Sequence, residues 1–436
     1  MKHNLQNYMK SLADQGYFNG AVLVAEKGNI LLSEGYGYAS FQYKVPATSK
    51  TKFRIGSLSK AFTAAAILKL VEEGKLGLKD TVDTFLPDFK FGNLITVHHL
   101  LSHTSGIADF TSSPDYWAKS MRLQSTLEQI ISSINVVPLE FEPGERMEYC
   151  NASYLVLTAI IEKITGKSYS DFLTETIFRP LKMMDTGVDD GRTIIPFLAT
   201  GHTLNQTIIH SEFIDMSFPL GAYGLYSTVE DLFKWGQAIR NGNILSKEFV
   251  DQMFTPNLDG YGYGWFLLDE PEKIACHSGD INGFVSDFYL NLEKDVTVIV
   301  LSNLNLTPIE KMCSDLSKIA FGKQVEPIAV FQKIEKEIDT KQLVGEYKND
   351  HTKLAIQQKR DSSLFITSPK KYGVPYTYPI NLVKVINDQL VYQAEFLYET
   401  LTFEVGDDQI TLHYIDCYGR EQEFVKKHSF FKSDFV

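Results

Sequence analysis

The order of strand-like and helix-like segments limits the fold of this chain most strongly. Two β-rich apolar runs near the N-terminus, residues 20–26 and 30–38, are joined by a short link containing Gly, which predicts a hairpin. Helical periodicity follows, and aromatic or β-branched runs return at 263–268, 284–290 and 296–301. We therefore predict an α+β sheet whose first two strands come from the N-terminus, with helices around it.

Three segments of the middle region show the apolar spacing of a helix. The first begins at Ser57 and runs for about 16 residues, until Gly74 ends it. The second covers about 152–165 and the third roughly 228–240. Ser57 is therefore expected at the N-terminal end of a long helix.

The chain changes character near residue 325. We predict one domain over residues 1–325, a polar linker over 326–341 and a separate domain over 342–436. Short β-like runs separated by turns recur in this last part. Their even spacing indicates a small antiparallel β-barrel or sandwich.

Composition and charge exclude several classes of function. The chain carries 42 Lys and Arg against 54 Asp and Glu, a net charge of −12, which disfavours nucleic acid as a partner. The four cysteines, Cys150, Cys276, Cys313 and Cys417, form no C-x-x-C pair, and no H-E-x-x-H is present, so we expect neither a metal site nor a cofactor. The cysteines are expected to be reduced thiols.

The sequence shows no segment typical of a membrane protein. No window approaches the ~20 consecutive apolar residues of a spanning helix, so we expect no membrane span. The first residues lack the apolar core of a signal peptide, which predicts a cytoplasmic protein. A chain whose leader had been removed would look the same and would be extracytoplasmic.

The first chemical signal is an S-x-x-K at Ser57-Leu58-Ser59-Lys60. The same spacing recurs at Ser49, Ser368 and Ser429, so the motif alone is weak. Only Ser57 opens a long apolar helix, where Lys60 would lie one turn along with its amine near the hydroxyl. A nucleophile beside a base at a helix N-terminus suits acyl transfer. The alternative is a helix cap followed by a surface lysine.

Two further segments lie where a cleft is expected. Tyr149-Cys150-Asn151 enters the second helix, where a tyrosine could relay a proton and an asparagine could bond both the lysine and a substrate amide. Tyr347-Lys348-Asn349 has the same spacing and is interpreted as a chance match. His277-Ser278-Gly279-Asp280 resembles the start of a strand lining a cleft, where Gly lets a substrate approach. Taken singly, Tyr149 is as typical of a structural role as of a functional one, whereas a lone histidine such as His277 is more often structural.

In this order, Ser57-x-x-Lys60, Tyr149-x-Asn151 and His277-Ser278-Gly279 resemble the serine β-lactamase and penicillin-binding-protein family. The resemblance is greatest to its class C β-lactamase-like branch, which includes D-alanyl-D-alanine carboxypeptidases, D-aminopeptidases and esterases. Segments 97–107, 141–144 and 224–228 add to it, and it covers about residues 10–320. It implies a β-lactamase/transpeptidase-like antiparallel sheet flanked by helices, and the last ~100 residues resemble the small β domains often appended to such hydrolases.

The resemblance also implies roles for these residues. Ser57 would be acylated, and Lys60 and Tyr149 would share the proton transfers. Asn151 would position Lys60 and the substrate amide. His277 would hold the Tyr149 network or a substrate carboxylate. The backbone N–H groups of Ser57 and Asp280 would form the oxyanion hole, and Ser278 and Gly279 would contact the substrate.

Two departures from the family pattern bear on the substrate. His277 replaces the lysine of much of the family and is mostly neutral at pH 7, which weakens binding of a carboxylate. Asp280 stands where a small residue is usual, and facing the cleft it would favour amines over carboxylates. His103 and the thiols of Cys150 and Cys276 are expected to be structural.

We therefore predict a serine hydrolase that acts on amide or ester bonds of a β-lactam, a D-amino-acid peptide or a small ester. A carboxylesterase on the same scaffold and a non-catalytic binding or regulatory homologue remain as alternatives. The expected partner is a small-molecule or peptide substrate, and the oligomeric state stays open.

Overall fold

The computed structural model describes residues 1–268, 272–328, 332–334, 338–368, 376–387, 389–416 and 419–427. Three predicted features lie wholly or partly outside these ranges. They are Cys417, the linker over 326–341 and the last residues of the C-terminal domain.

Helices and strands are labelled in chain order. The helices of the described residues are α1 (Lys2–Ala13), α2 (Ser59–Glu72), α3 (Val97–Leu101), α4 (Pro114–Ala118), α5 (Leu127–Asn135), α6 (Asn151–Thr165), α7 (Tyr169–Leu173), α8 (Leu220–Tyr223), α9 (Val229–Arg240), α10 (Lys247–Met253) and α11 (Ile309–Ala320).

The strands of the described residues are β1 (Gly20–Glu26), β2 (Asn29–Tyr36), β3 (Tyr38–Ser40), β4 (Val45–Pro46), β5 (Phe53–Arg54), β6 (Gly187–Val188), β7 (His202–Asn205), β8 (Thr207–His210), β9 (Leu225–Ser227), β10 (Phe266–Leu268), β11 (Ile274–Ile281), β12 (Phe284–Asn291), β13 (Val296–Ser302), β14 (Gly345–Lys348), β15 (Lys353–Gln358), β16 (Leu364–Ser368), β17 (Tyr376–Ile386), β18 (Gln389–Ala394), β19 (Thr400–Val405), β20 (Gln409–Ile415) and β21 (Glu421–Lys427).

Six of the described strands form the central sheet, in the order β10-β11-β12-β13-β1-β2. Every neighbouring pair is antiparallel, and the N-terminal hairpin joins the sheet through β1 and β13, where Val22 lies opposite Val300. This confirms the predicted α+β sheet whose first two strands come from the N-terminus.

Both faces of the sheet are covered, which explains the unbroken apolar run of β1. Successive side chains of a strand point to opposite faces. Ala21 and Leu23 pack into the large core that contains α2, α6 and α9, whereas Val22 and Val24 pack into the core of α1 and α11. A strand buried on both sides has no polar face to expose.

The helix expected to begin at Ser57 begins two residues later. Residues 56–58 form a 3-10 turn, and the α-helical part starts at Ser59. The side chains of α2 are buried almost all round, so α2 is a core helix rather than a surface helix with one apolar stripe. Its start is therefore held by packing on every side.

Eight of the described strands, β14 to β21, close into an antiparallel barrel through the pairing of β16 with β17. The sequence predicted either a barrel or a sandwich, and the structure confirms the barrel. The hairpin β7–β8 adds to it through Thr377 and Asn205, and Leu204, Leu304 and Leu306 enter its apolar core. Between α11 and β14, the described residues contain only the 3-10 turn Lys341–Leu343.

No helix in the described part of the chain is long and apolar enough to cross a membrane.

Candidate active site

Ser57 lies at the wall of a cleft of about 690 Å³ between the central sheet and the helical side of the molecule. Asn151 from the start of α6, Tyr149 just before it and the segment 277–280 of β11 line the same cleft. Lys60 is fully buried directly behind Ser57. The structure therefore brings together the predicted site residues from three distant parts of the sequence.

Two glycines allow the Ser57 turn to touch β11. Gly56 has a φ of +53°, and a Cβ placed there would lie 2.6 Å from the backbone nitrogen of Asp280. A Cβ on Gly279 would lie 2.1 Å from the carbonyl oxygen of Ile55. Any larger residue would separate the two segments. This contact keeps the backbone of Ser57 beside that of Asp280, the two segments that carry the predicted oxyanion donors.

Lys60 contacts three oxygen atoms from inside the protein. Its Nζ lies 3.1 Å from Ser57 Oγ, 2.7 Å from Asn151 Oδ1 and 2.8 Å from the carbonyl oxygen of Ala222. Burial lowers the pKa of Lys60 from 10.5 to about 7, although the charge of Asp109 opposes the shift. A large fraction of this amine is therefore neutral near pH 7 and can accept a proton.

Asn151 links the lysine to a loop that the sequence did not single out. Its side-chain nitrogen lies 3.3 Å from Asp109 Oδ2 and 3.2 Å from Thr111 Oγ1, and donates to both. The amide is thus held in one orientation, with its oxygen towards Lys60. Asp109 and Thr111 also line the cleft. Nothing in their local sequence spacing distinguishes them as site residues.

Tyr149 lies across Lys60 and beside Ser57. The Lys60 Nζ is 4.7 Å from the centre of the Tyr149 ring. Burial raises the pKa of the Tyr149 phenol well above 10, and its interaction with Ser57 acts in the opposite direction. The hydroxyl is buried and has no partner within hydrogen-bond geometry among the described residues. It is a protonated donor placed next to the nucleophile.

His277 is buried, with 2% of its surface exposed, and both ring nitrogens are engaged. Nδ1 donates to the carbonyl oxygen of Ser278 at 2.6 Å, and Nε2 accepts from the hydroxyl of Tyr261 at 3.2 Å. Burial, followed by the nearby charge of Lys60, lowers the pKa of His277 to about 3. The imidazole is therefore neutral and offers neither a positive charge nor a spare donor to a substrate carboxylate.

His103 lies behind Tyr149 and does not line the cleft. Its ring is 4.4 Å from that of Tyr149, its Nδ1 accepts the backbone N–H of Cys150 at 3.0 Å, and its carbonyl oxygen accepts that of Glu148 at 2.9 Å. Tyr261 packs on the same ring at 4.6 Å. His103 therefore fixes the backbone on both sides of Tyr149. No sequence motif pointed to Tyr261, which the fold brings next to His103.

The two thiols that flank the motifs are unreactive in their surroundings. Cys150 is buried and its Sγ donates to the carbonyl oxygen of Ile107 at 3.2 Å. Burial raises the pKa of both Cys150 and Cys276 to about 12, so neither is a thiolate at neutral pH. Among the described residues, no three His, Cys, Asp or Glu side chains come together in a way that could hold a metal ion.

Comparison with known proteins gives one family for most of the chain. Residues 2–318 match the family model described as Beta-lactamase. Penicillin-binding protein 4* of Bacillus subtilis (strain 168) is 32% identical over 326 residues, covering 69% of this chain and 72% of the relative. Protein flp of Staphylococcus aureus (strain NCTC 8325 / PS 47) is 33% identical over 335 residues, covering 73% of this chain but only 64% of flp.

Solved structures show the same architecture. An octameric penicillin-binding protein homologue from Pyrococcus abyssi superposes with a TM-score of 0.66 at 25% identity, covering 97% of this chain and 99% of that one. A D-amino acid amidase from Ochrobactrum anthropi SV3, in complex with D-phenylalanine, superposes with a TM-score of 0.64 at 25% identity, covering 73% of this chain and 99% of that one. The first likeness includes the C-terminal barrel.

Proposed function

Because the chain belongs to the Beta-lactamase family, we propose that it is a serine hydrolase that cleaves amide or ester bonds through an acyl-enzyme on Ser57. The observation that carries this proposal is the contact between Ser57 Oγ and Lys60 Nζ at 3.1 Å, with the lysine pKa near 7. A hydroxyl is a weak nucleophile unless a base takes its proton during attack. A buried neutral amine at hydrogen-bond distance is such a base.

In the acylation step, Ser57 Oγ attacks the substrate carbonyl carbon while its proton passes to Lys60 Nζ. The new C–O bond gives a tetrahedral intermediate whose oxyanion faces the backbone N–H groups of Ser57 and Asp280. Such donors contribute about 3–4 kcal/mol in comparable hydrolases. The intermediate collapses by breaking the bond to the leaving group. Tyr149 donates its phenolic proton to that group and recovers a proton from the Lys60 ammonium.

Deacylation runs through the same groups in reverse order. A water molecule gives a proton to Lys60 through Tyr149 as its oxygen attacks the acyl carbon. The second tetrahedral intermediate then releases Ser57 Oγ, which takes the proton back from Lys60. Asn151 and His103 keep Lys60 and Tyr149 in position through the contacts described above. No proton is gained or lost by the enzyme over the cycle.

The substrate class is proposed from the relatives and from the charge of the site. Amide substrates containing D-amino acids are favoured by the similarity to the D-amino acid amidase, and β-lactams by the similarity to the penicillin-binding proteins. Small esters remain as a second candidate, because an ester needs the same nucleophile and a less basic leaving group. Carboxypeptidase action is the least favoured, since His277 carries no charge for a terminal carboxylate.

The test measures turnover of p-nitrophenyl acetate and D-alanine p-nitroanilide, and labelling by a fluorescent penicillin. Wild type is compared with Ser57→Ala and with Ser49→Ala, which removes the serine of another S-x-x-K outside the cleft. Ser57→Ala should abolish every activity that the wild type shows, and Ser49→Ala should retain it. Turnover that survives in Ser57→Ala, or an absence of turnover and labelling in a folded wild type, would overturn the proposal and favour a non-catalytic binding protein.

A further inference from the structure

The buried polar side chains of α2 all bind one short stretch of backbone behind the cleft. The structure describes α2 in full, and the polar side chains among its buried residues are Ser59, Lys60 and Thr63. All three form hydrogen bonds with the backbone of residues 221–225, which we call the 221–225 segment. A buried polar side chain costs free energy unless it is hydrogen-bonded. The polar positions of this core helix therefore serve to hold the 221–225 segment.

Thr63 lies one turn along α2 from Lys60, and its hydroxyl is the centre of a series of hydrogen bonds. Its Oγ1 lies 2.7 Å from the carbonyl oxygen of Gly221 and 2.6 Å from the hydroxyl of Tyr169, and both side chains are buried. A carbonyl oxygen only accepts, so the Thr63 hydroxyl donates to Gly221 and accepts from Tyr169. Burial raises the pKa of Tyr169, which keeps this phenol protonated as the first donor. Hydrogen bonds in such a series strengthen one another.

Gly221 lets the 221–225 segment lie directly against its neighbours. A Cβ at Gly221 would lie 2.3 Å from Thr158 Oγ1 and 2.9 Å from Thr63 Oγ1. A larger residue would therefore move the segment away from α2. The preceding Leu220 has a φ of +36°, a conformation that residues other than glycine rarely adopt. The surrounding contacts must hold this backbone in place, since its local preferences do not.

The position of the segment matters to the base because Ala222 directly follows Gly221. The Ala222 carbonyl oxygen is one of three oxygen atoms around the Lys60 amine, and the others belong to the side chains of Ser57 and Asn151. A carbonyl oxygen binds an ammonium group more strongly than a neutral amine, so this contact favours the charged form of Lys60. If the carbonyl moved, the amine could turn away from the hydroxyl that it must deprotonate.

We propose that Thr63 and Tyr169 are positioning residues for the general base, because their hydrogen bonds keep the 221–225 segment against α2 and so keep the base in line with the nucleophile. The inference rests on the proposed function and adds two residues that act on its base from inside the protein. Neither side chain is among the described residues that line the cleft. Their loss should therefore lower kcat and change KM little.

The test compares Thr63→Val, which keeps the shape of the side chain but loses the hydroxyl, with Thr63→Ser, which keeps the hydroxyl but loses the methyl group. Turnover of p-nitrophenyl acetate is measured from pH 5 to 9. Thr63→Val should lower kcat about tenfold and move the midpoint of the kcat/KM profile about one pH unit lower, because the charged amine loses an acceptor. Thr63→Ser should recover most of the kcat and the midpoint, although it lowers the free energy of unfolding.

A second measurement follows the same amine without substrate. The lost contact involves the charged amine, so the free energy of unfolding that Thr63→Val loses should be larger at pH 5 than at pH 9. Urea unfolding at both pH values measures this loss. Thr307→Val is the matched control, because the buried Thr307 hydroxyl also lies between a hydroxyl, that of Ser302 at 2.7 Å, and a carbonyl oxygen, that of Leu304 at 3.0 Å. It should lower the free energy of unfolding equally at both pH values and leave the midpoint unchanged.

The outcomes separate the two proposals. Tyr169→Phe should move the midpoint in the same direction by less, and it keeps the test decisive if Thr63→Val does not fold. A folded Thr63→Val with the kcat and midpoint of the wild type would overturn the positioning role and leave the serine hydrolase standing. A lower midpoint without a larger loss of stability at pH 5 would assign the change to another group and overturn it as well. An absence of Ser57-dependent turnover would overturn the proposed function and the positioning of its base with it.

Discussion

The burial of Lys60 makes both the activity and the stability of the wild type depend on pH, and a variant without the lysine should lose both dependences. The base must be neutral to accept the Ser57 proton, and its pKa is about 7. For p-nitrophenyl acetate, kcat/KM should therefore rise about tenfold per pH unit below pH 7 and level off above it. Lys60→Met should lower kcat/KM by a factor of at least 10², because the general base is lost.

The same pKa gives the size of the effect on folding. A pKa lowered from 10.5 to about 7 corresponds to about 5 kcal/mol, at 1.36 kcal/mol per pKa unit. Between these pH values the unfolded chain holds a proton that the folded chain lacks, so the free energy of unfolding of the wild type rises with pH across this window. Below pH 7 the full penalty of burying the ammonium remains.

Lys60→Met removes this penalty, so the variant should be inactive and yet more stable than the wild type at pH 6, by up to about 5 kcal/mol. The gain should shrink to near zero by pH 10.5. Urea unfolding at pH 6, 8 and 10 measures it. Lys52→Met is the matched control, because Lys52 is also buried but pairs with Asp185 at 3.0 Å. Removing Lys52 should therefore not raise the free energy of unfolding. A pH-independent kcat/KM between pH 5 and 8, or a Lys60→Met variant less stable at pH 6, would refute the reasoning.

Substitutions at Tyr149, Gly279 and His103 test three further positions of the site. Tyr149→Phe should keep the fold and lower kcat by about 10²-fold or more, which stopped-flow assays would measure. The control Tyr347→Phe changes the tyrosine of the other Y-x-N. It should lower the free energy of unfolding without lowering the kcat of the folded protein. Gly279→Ala should abolish activity and lower the unfolding midpoint, because its Cβ would lie 2.1 Å from the Ile55 carbonyl oxygen; unchanged activity would contradict that contact. His103→Ala should lower kcat more than it raises KM. His103→Asn retains an acceptor for the Cys150 N–H and should recover part of the lost kcat. Equal kcat values for the two variants would argue against a positioning role of His103.

The motifs could be predicted because their chemistry is local. Ser57 and Lys60 are one helical turn apart, and the apolar helix behind them distinguished this S-x-x-K from the others. The contact of Tyr149 with Lys60 depends on the whole fold, and it could be expected only from the resemblance of the three ordered motifs to the serine β-lactamase and penicillin-binding-protein family. That His277 is mostly neutral at pH 7 could be expected from the residue type. The engagement of both its ring nitrogens could not be predicted, since it depends on burial and on the hydroxyl of Tyr261.

Several elements of the fold were not predicted, among them helix α1 and strand β17. Helix α1 was not predicted, although its buried Leu5, Tyr8, Met9 and Leu12 have helical spacing. The long strand β17 contains Pro379, which normally argues against a strand inside a sheet. The predicted boundaries at 325 and 341 stay predictions, and the leucines near 204 and 304 that enter the barrel core are a tertiary feature that no local pattern reveals.

The most direct measurement of the central claim is the site of the covalent intermediate. The enzyme is mixed with a slowly hydrolysed ester or a β-lactam, quenched in acid within milliseconds to seconds, digested and mapped by mass spectrometry. The account predicts one peptide heavier by the mass of the acyl group, modified at Ser57, and no such peptide from Ser57→Ala. Substrate turnover without any acylated peptide, or an acyl group on another residue, would contradict it.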